Sequence, residues 1–181
     1  GLDMLAMLNE VIDMAKLETG HIELFPKPLS LRELAEETLE RVAPLVGDKP
    51  LTLQVEVARD LPPAWADESR TRQVLYNLLS FCARNTQAGT ITIRGAVHND
   101  HLLVTVEDTG EGWPQDEVAL MLEPYRPPQE VQHIGGVGLS LALARRFAEL
   151  QGGALAVESR LGQGTTFLLS LPLAAPEDAA S

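Results

Sequence analysis

Cysteine occurs once in this 181-residue chain, at Cys82, which excludes an internal disulfide framework and a multi-cysteine metal centre. Lysine is almost as scarce. Lys16, Lys27 and Lys49 are its only occurrences, so every cation beyond residue 49 is an arginine or a protonated histidine. No apolar run approaches the roughly 18 residues that cross a bilayer, and no signal peptide is recognisable. The segment therefore reads as soluble and cytoplasmic, without membrane contact of its own and compatible with a membrane-anchored parent upstream. Positive charge is outweighed, with 14 basic against 26 acidic side chains and a formal net charge of −12. Such a surface repels nucleic acid and anionic lipid. Any phosphate has to be held locally, by backbone N–H groups, a metal or a few placed arginines.

What is present suits one compact domain with a short appendage. Leu2 to Leu17 has helical periodicity with two adjacent apolar stripes, Leu5-Leu8-Ile12-Ala15 and Met4-Met7-Val11-Met14. Together they are too wide for a two-stranded seam, so this helix predicts a bundle partner. Glu18-Thr19-Gly20 ends it, and the Pro26/Pro28 stretch reads as an extended connector. Ser30-Leu31-Arg32-Glu33 has capping-box spacing and starts a helix running to about Gly47. Residues 51–57 alternate like a half-buried strand. Asp67 can cap a long helix reaching about Thr86, with Val74, Leu75, Leu78, Leu79 and Cys82 on its buried face. Ile91–Val97 and Leu102–Glu107 predict a hairpin around His98-Asn99-Asp100-His101, followed by a long, weakly periodic stretch from Asp108 to Val137. Leu139–Leu150 predicts a helix, and Ala154–Glu158 with Thr166–Leu171 a closing strand pair. Strands come as antiparallel neighbours and helices singly, which predicts one sheet with helices on one face.

Three glycine-bearing motifs stand out, each open to a plain reading. Asp108-Thr109-Gly110-Glu111-Gly112 follows a strand directly: an Asp there can accept from an exocyclic amine while the glycines let backbone approach a planar ring, or the run is simply a turn. Gly135-Gly136-Val137-Gly138 precedes a helix and would cradle an anion, or act as a hinge. Gly162-Gln163-Gly164-Thr165-Thr166-Phe167 is a tight turn into a strand. The long helix adds Asn77, Phe81 and Asn85 along one side, where polar amides are either functional or merely solvated.

Taken in order, the amide-bearing helix, D-x-G-x-G, long loop, glycine-rich helix start and G-x-G-T-x-F resemble the ATP-binding domain of two-component sensor histidine kinases. These belong to the wider GHKL ATPase family with gyrase, Hsp90 and MutL. Leu8 to Gly20 likewise resembles the second helix of the dimerisation and phosphoacceptor hairpin. The resemblance implies an α+β fold, a two-layer α/β sandwich of the Bergerat type with a mostly antiparallel sheet, preceded by one bundle helix. It divides the chain into a hairpin remnant (1–20), a linker (21–30), the ATP-binding domain (31–173) and a tail (174–181). It implies ATP as cofactor, a homodimer through the N-terminal helix, and a response regulator or another kinase as partner. The activity implied is ATP-dependent phosphorylation of a histidine, a transferase reaction.

By the same resemblance, Asp108 recognises adenine, Gly110 and Gly112 lie against the base, and Thr165 or Thr166 assists through water. Gly136 and Gly138 line the phosphates in a lid, Arg126 reaches a phosphate, and Asn77 and Arg84 are the N-box amide and cation. The departures are equally specific. Phe81 stands where the family has a second asparagine that ligates Mg²⁺, and it offers a hard cation no oxygen. Arg84 and Asn85 replace a lysine and an aromatic, Ser140 replaces a lid glycine, and the F-box phenylalanine is missing unless Tyr125 substitutes. No histidine occupies a phosphoacceptor context: His21 falls in the connector, His98 and His101 flank a turn, and His133 lies in the lid. The acceptor is therefore expected outside this chain and Mg²⁺ binding weak or absent. The alternative is a pseudokinase that keeps the fold as a signalling and interaction module.

Overall fold

The computed structural model describes residues 2–124 and 139–175. Five helices and seven strands appear among them: α1 (Leu2–Glu18), β1 (Pro26–Leu29), α2 (Leu31–Val46), β2 (Leu51–Glu56), β3 (Ala64–Asp67) and α3 (Glu68–Asn85). After these come β4 (Gly89–His98), β5 (His101–Asp108), a single-turn α4 (Gln115–Val118), α5 (Ser140–Leu150), β6 (Ala154–Arg160) and β7 (Gly164–Pro172).

The main sheet has the order β2-β4-β5-β7-β6, with β2 and β4 parallel and every other pair antiparallel. Strand periodicity decides which residues meet the helices. Leu102, Val104 and Val106 of β5 point inward, and the next inward position is Asp108. On β7 the inward set is Thr165, Phe167, Leu169 and Leu171. The β4–β5 hairpin turns on Asn99 and Asp100, both at positive φ (49° and 62°), the two-residue geometry that Asn and Asp tolerate. The helices α2, α3 and α5 cover this face, and the buried stripe expected on α3 is present from Val74 to Cys82. The two-layer architecture agrees with the expectation.

Capping fixes the helix starts as the sequence predicts. Ser30 accepts from the Glu33 N–H at the start of α2, and Asp67 Oδ1 from the Arg70 N–H at the start of α3 (2.9 Å). Asp67 Oδ2 also accepts from the Phe25 N–H (2.9 Å), which draws in the segment before β1. Here the expected connector departs from its reading. Pro26–Leu29 pairs antiparallel with Ala64–Asp67 as a separate two-stranded sheet. The prolines are tolerated because this strand is an edge.

α1 is held at its C-terminal half. Met14 and Leu17 are buried, and Asp13 takes a hydrogen bond from Gln73 (3.2 Å) and lies 3.7 Å from Arg70. Met4, Leu5, Leu8, Val11 and Ile12 stay exposed, so most of the double stripe has no cover among the described residues. Among the described residues no helix is long and apolar enough to cross a membrane.

Candidate nucleotide site

Asp108 ends the inward row of β5 and is only 4% exposed. Its Oδ1 accepts from the backbone N–H of Gly110 (3.0 Å) and of Thr165 (3.2 Å), its register partner on β7. The Cys82 thiol of α3 donates to the same carboxylate. Burial pushes the Asp108 carboxyl above the usual range, and these three donors pull it back. Burial raises the Cys82 thiol well above its ordinary value, and the neighbouring carboxylate raises it further. The thiol is therefore a donor, not a nucleophile.

The turn after Asp108 is locked to the β6–β7 turn by close backbone approaches. Gly112 has φ +73°, and a Cβ there would fall 2.0 Å from the Arg160 carbonyl. Gly164 has φ +79°, and its Cβ would fall 2.1 Å from the Asp108 carbonyl. Neither position admits a side chain. Ser159, opposite Thr165 in register, accepts from the Trp113 N–H (3.0 Å), donates to Gly164 O (2.9 Å) and lies 2.9 Å from Thr165 Oγ1. The D-x-G-x-G run, the G-x-G-T-x-F turn and the last turn of α3 thus converge on one carboxylate. Thr165 is the threonine that reaches it. Thr166 does not: strand alternation puts it on the opposite sheet face beside Glu107, where it lines a groove with Gln115, Glu158 and Gln163. That corrects its place in the expected set.

The other end of the site differs. Asn77 is nearly buried, and its Nδ2 donates to the Ser140 carbonyl (2.8 Å), tying α3 to the first residue of α5. Phe81 stands at the position where the family has a second asparagine, and it brings no polar atom there. Its ring turns into the core, 5.7 Å from Phe167 edge-on and 5.8 Å from Trp113. Asn85 spends its amide on the Phe81 carbonyl (2.8 Å). Arg84 is exposed, and its charge is felt by the partly buried Glu10 of α1, whose pKa burial raises and Arg84 lowers. Arg126, Gly136 and Gly138, with Tyr125 and His133, lie outside the described residues. Sequence reasoning overlooked Ser159 and Thr86 and gave Cys82 only a packing role. The place of Thr86 directly after the expected end of the long helix was the available signal, whereas Ser159 emerges only once β6 is in register with β7.

Residues 66–175 match the family model of the histidine kinase-, DNA gyrase B- and HSP90-like ATPases. The chain belongs to this family. Its relatives include the sensor protein GacS of Pseudomonas syringae pv. syringae, 34% identical over 94% of this chain and 20% of GacS. The sensor protein TorS of Escherichia coli K12 is 35% identical over 96% of this chain and 19% of TorS. The chain thus spans about a fifth of the length of these curated relatives. Among solved structures, full-length ShkA in complex with AMPPNP superposes with a TM-score of 0.85 at 30% identity, covering 95% of this chain and 36% of ShkA. The ATP-binding domain of a sensor histidine kinase, expected from motif order, is therefore the domain present. The pseudokinase alternative gains no support from relatives that carry sensor-kinase names.

Proposed function

We propose that this segment binds ATP through Asp108 and supplies the γ-phosphoryl group to a histidine outside these residues, in a two-component pathway that ends at a response regulator. The observation that carries the reading is the buried Asp108 carboxylate, held from behind by Gly110, Thr165 and Cys82. Its remaining acceptor capacity suits the exocyclic amine of adenine. That ShkA, which shares this fold, was solved in complex with AMPPNP supports a nucleotide ligand. Phosphoryl transfer in such a domain is positioning and charge stabilisation. The residues that do this are Asp108, Gly110, Gly112 and Thr165 at the base, with Asn77 fixing α5 and Arg84, Arg126, Gly136 and Gly138 toward the phosphates.

The described residues do not fit Mg²⁺ at Phe81, because a ring packed on Trp113 and Phe167 provides no oxygen ligand. The domain works on the cytoplasmic side, where ATP and response regulators are found. The exposed apolar residues of α1 belong to a homodimeric hairpin bundle with residues 1–20 as its remnant. Light scattering with and without residues 1–20 reads that assembly, and equal monomer masses at high concentration would refute it.

The nucleotide reading is tested by calorimetric titration with ADP and GDP. ADP binding at least tenfold tighter than GDP is expected, since guanine presents a carbonyl where adenine presents the amine. Absence of ADP heat at millimolar ligand would sink it.

A further inference from the structure

The end of α3 meets the Asp108–Gly110 turn with two buried side chains, Cys82 in its last turn and Thr86 at its C-cap, where the backbone is already extended (φ −111°, ψ 122°). The Cys82 thiol already donates to the carboxylate. Thr86 has no such bond. Among the described residues its Oγ1 is the only buried side-chain nitrogen or oxygen without a hydrogen-bond partner. A valine would fill the same volume, so core packing gives no reason for a hydroxyl whose burial unpaired is unfavourable. Nor is the group free to drift. Lys49 Nζ donates to the backbone carbonyls of Ala83 and Thr86 (3.0 Å for Thr86), clamping the end of α3. The hydroxyl faces a polar spot: the point where a Cβ on Gly110 would stand is 3.2 Å from Thr86 Oγ1 and also 3.2 Å from Asp108 Oδ1.

We infer that Cys82 and Thr86 form a donor pair that positions Asp108 for a purine bearing an exocyclic amine. The inference rests on the base-site reading above and assigns both as positioning residues, acting through Asp108. Donors behind a carboxylate favour its ionised form. Its front edge is then a pure acceptor, which takes an N–H from adenine and opposes the carbonyl of hypoxanthine. Without those donors the buried carboxyl holds a proton more readily, and its O–H can serve the carbonyl. The Thr86 hydroxyl is the reserve donor, turning about χ1 toward Oδ1 when a base draws the carboxylate outward.

The experiment is calorimetric titration of the whole chain with ADP and with IDP, for wild type, Cys82→Ala, Cys82→Ser, Thr86→Val and Thr86→Ser. Cys82→Ala and Thr86→Val are expected each to lower the ADP-over-IDP preference by about fivefold, one hydrogen bond's worth. Both serine variants should retain the preference. Thermal melts accompany the titrations, and Thr86→Val should melt no lower than wild type because it removes an unpaired hydroxyl. Equal weakening of both nucleotides, or an unchanged ratio in Cys82→Ala and Thr86→Val, would reduce the pair to packing and overturn the inference while leaving the base site standing. A wild type that does not prefer ADP would overturn the base-site reading and this inference with it.

Discussion

The two ends of the candidate site are built from opposite materials. Around Asp108 every element contributes a polar group: β7 through the Thr165 N–H, the following turn through the Gly110 N–H, and α3 through Cys82. One residue earlier on the same helix, Phe81 contributes only a ring to Phe167 and Trp113. The first region accepts desolvation of a carboxylate and surrounds it with donors. The second gains its free energy from aromatic burial and gives up a ligand position. One helix can therefore carry a site residue at one position and a core residue at the next, and the surrounding partners decide which is which.

The sharpest way to break this contrast is Phe81→Asn. If the ring only plugged an ion's place, the asparagine would fold normally and gain metal-dependent nucleotide affinity. With Phe81 5% exposed and in contact with two aromatics, the expected result is a loss of about 3–5 kcal/mol. The melting temperature should fall by on the order of 10 °C, with no gain in affinity. Thermal and urea melts read the stability change, and calorimetry on the folded fraction reads the affinity.

Asp108→Asn separates binding from stability at the polar end. Adenine-nucleotide affinity should drop at least fivefold (roughly 1 kcal/mol or more), since a charge-assisted acceptor is lost. Stability should move the other way. Burial raises the folded-state pKa of Asp108. Below about pH 4 the carboxyl is protonated both folded and unfolded. As pH climbs toward the raised folded value, the unfolded chain has already released its proton and the folded chain has not. Stability from this group is then lost until the folded pKa is passed. The variant should therefore be no less stable than wild type at pH 7, with the difference shrinking toward pH 4. A variant clearly less stable at pH 7 would mean that the ionised carboxylate is a net stabiliser.

Much of this was legible in the chain itself. Asp67 and Ser30 announced their helices by capping chemistry, and period-two alternation along residues 102–108 was enough to turn Asp108 inward. Motif order then carried the family. What stayed hidden depended on pairing between distant segments. Pro26–Leu29 looks like a connector until Ala64–Asp67 lies beside it. Thr165 and Thr166 are indistinguishable until register with β5 puts one against Asp108 and the other against Glu107. Phe81 shows the same limit: its position in a motif suggested a vacated ligand site, whereas its contacts make it part of the core.

The smallest expected effect is on metal dependence, and it sharpens the contrast instead of breaking it. Mg²⁺ seeks oxygen ligands in near-octahedral array at about 2.0–2.1 Å. Among the described residues no group of three His, Cys, Asp or Glu side chains could hold a metal. Along α3, Phe81 has no oxygen, and Asn85 is bonded back to its own helix. Gln73 is held between Arg70, which donates to its Oε1, and Asp13, which accepts from its Nε2, so Asn77 is the remaining amide, and its orientation is set by the bond to Ser140 O. The helix thus offers at most one amide oxygen, where a bridging ion would want a ligand at residue 81. ADP affinity measured with excess Mg²⁺ and with chelator should accordingly differ by less than about threefold, under roughly 0.7 kcal/mol. A tenfold or larger dependence would show a cation seated on another oxygen. Asn77→Ala would then be the discriminating variant: if it abolished the dependence, the ion would have moved one turn along α3 to Asn77, and the two ends of the site would be less different than their packing makes them.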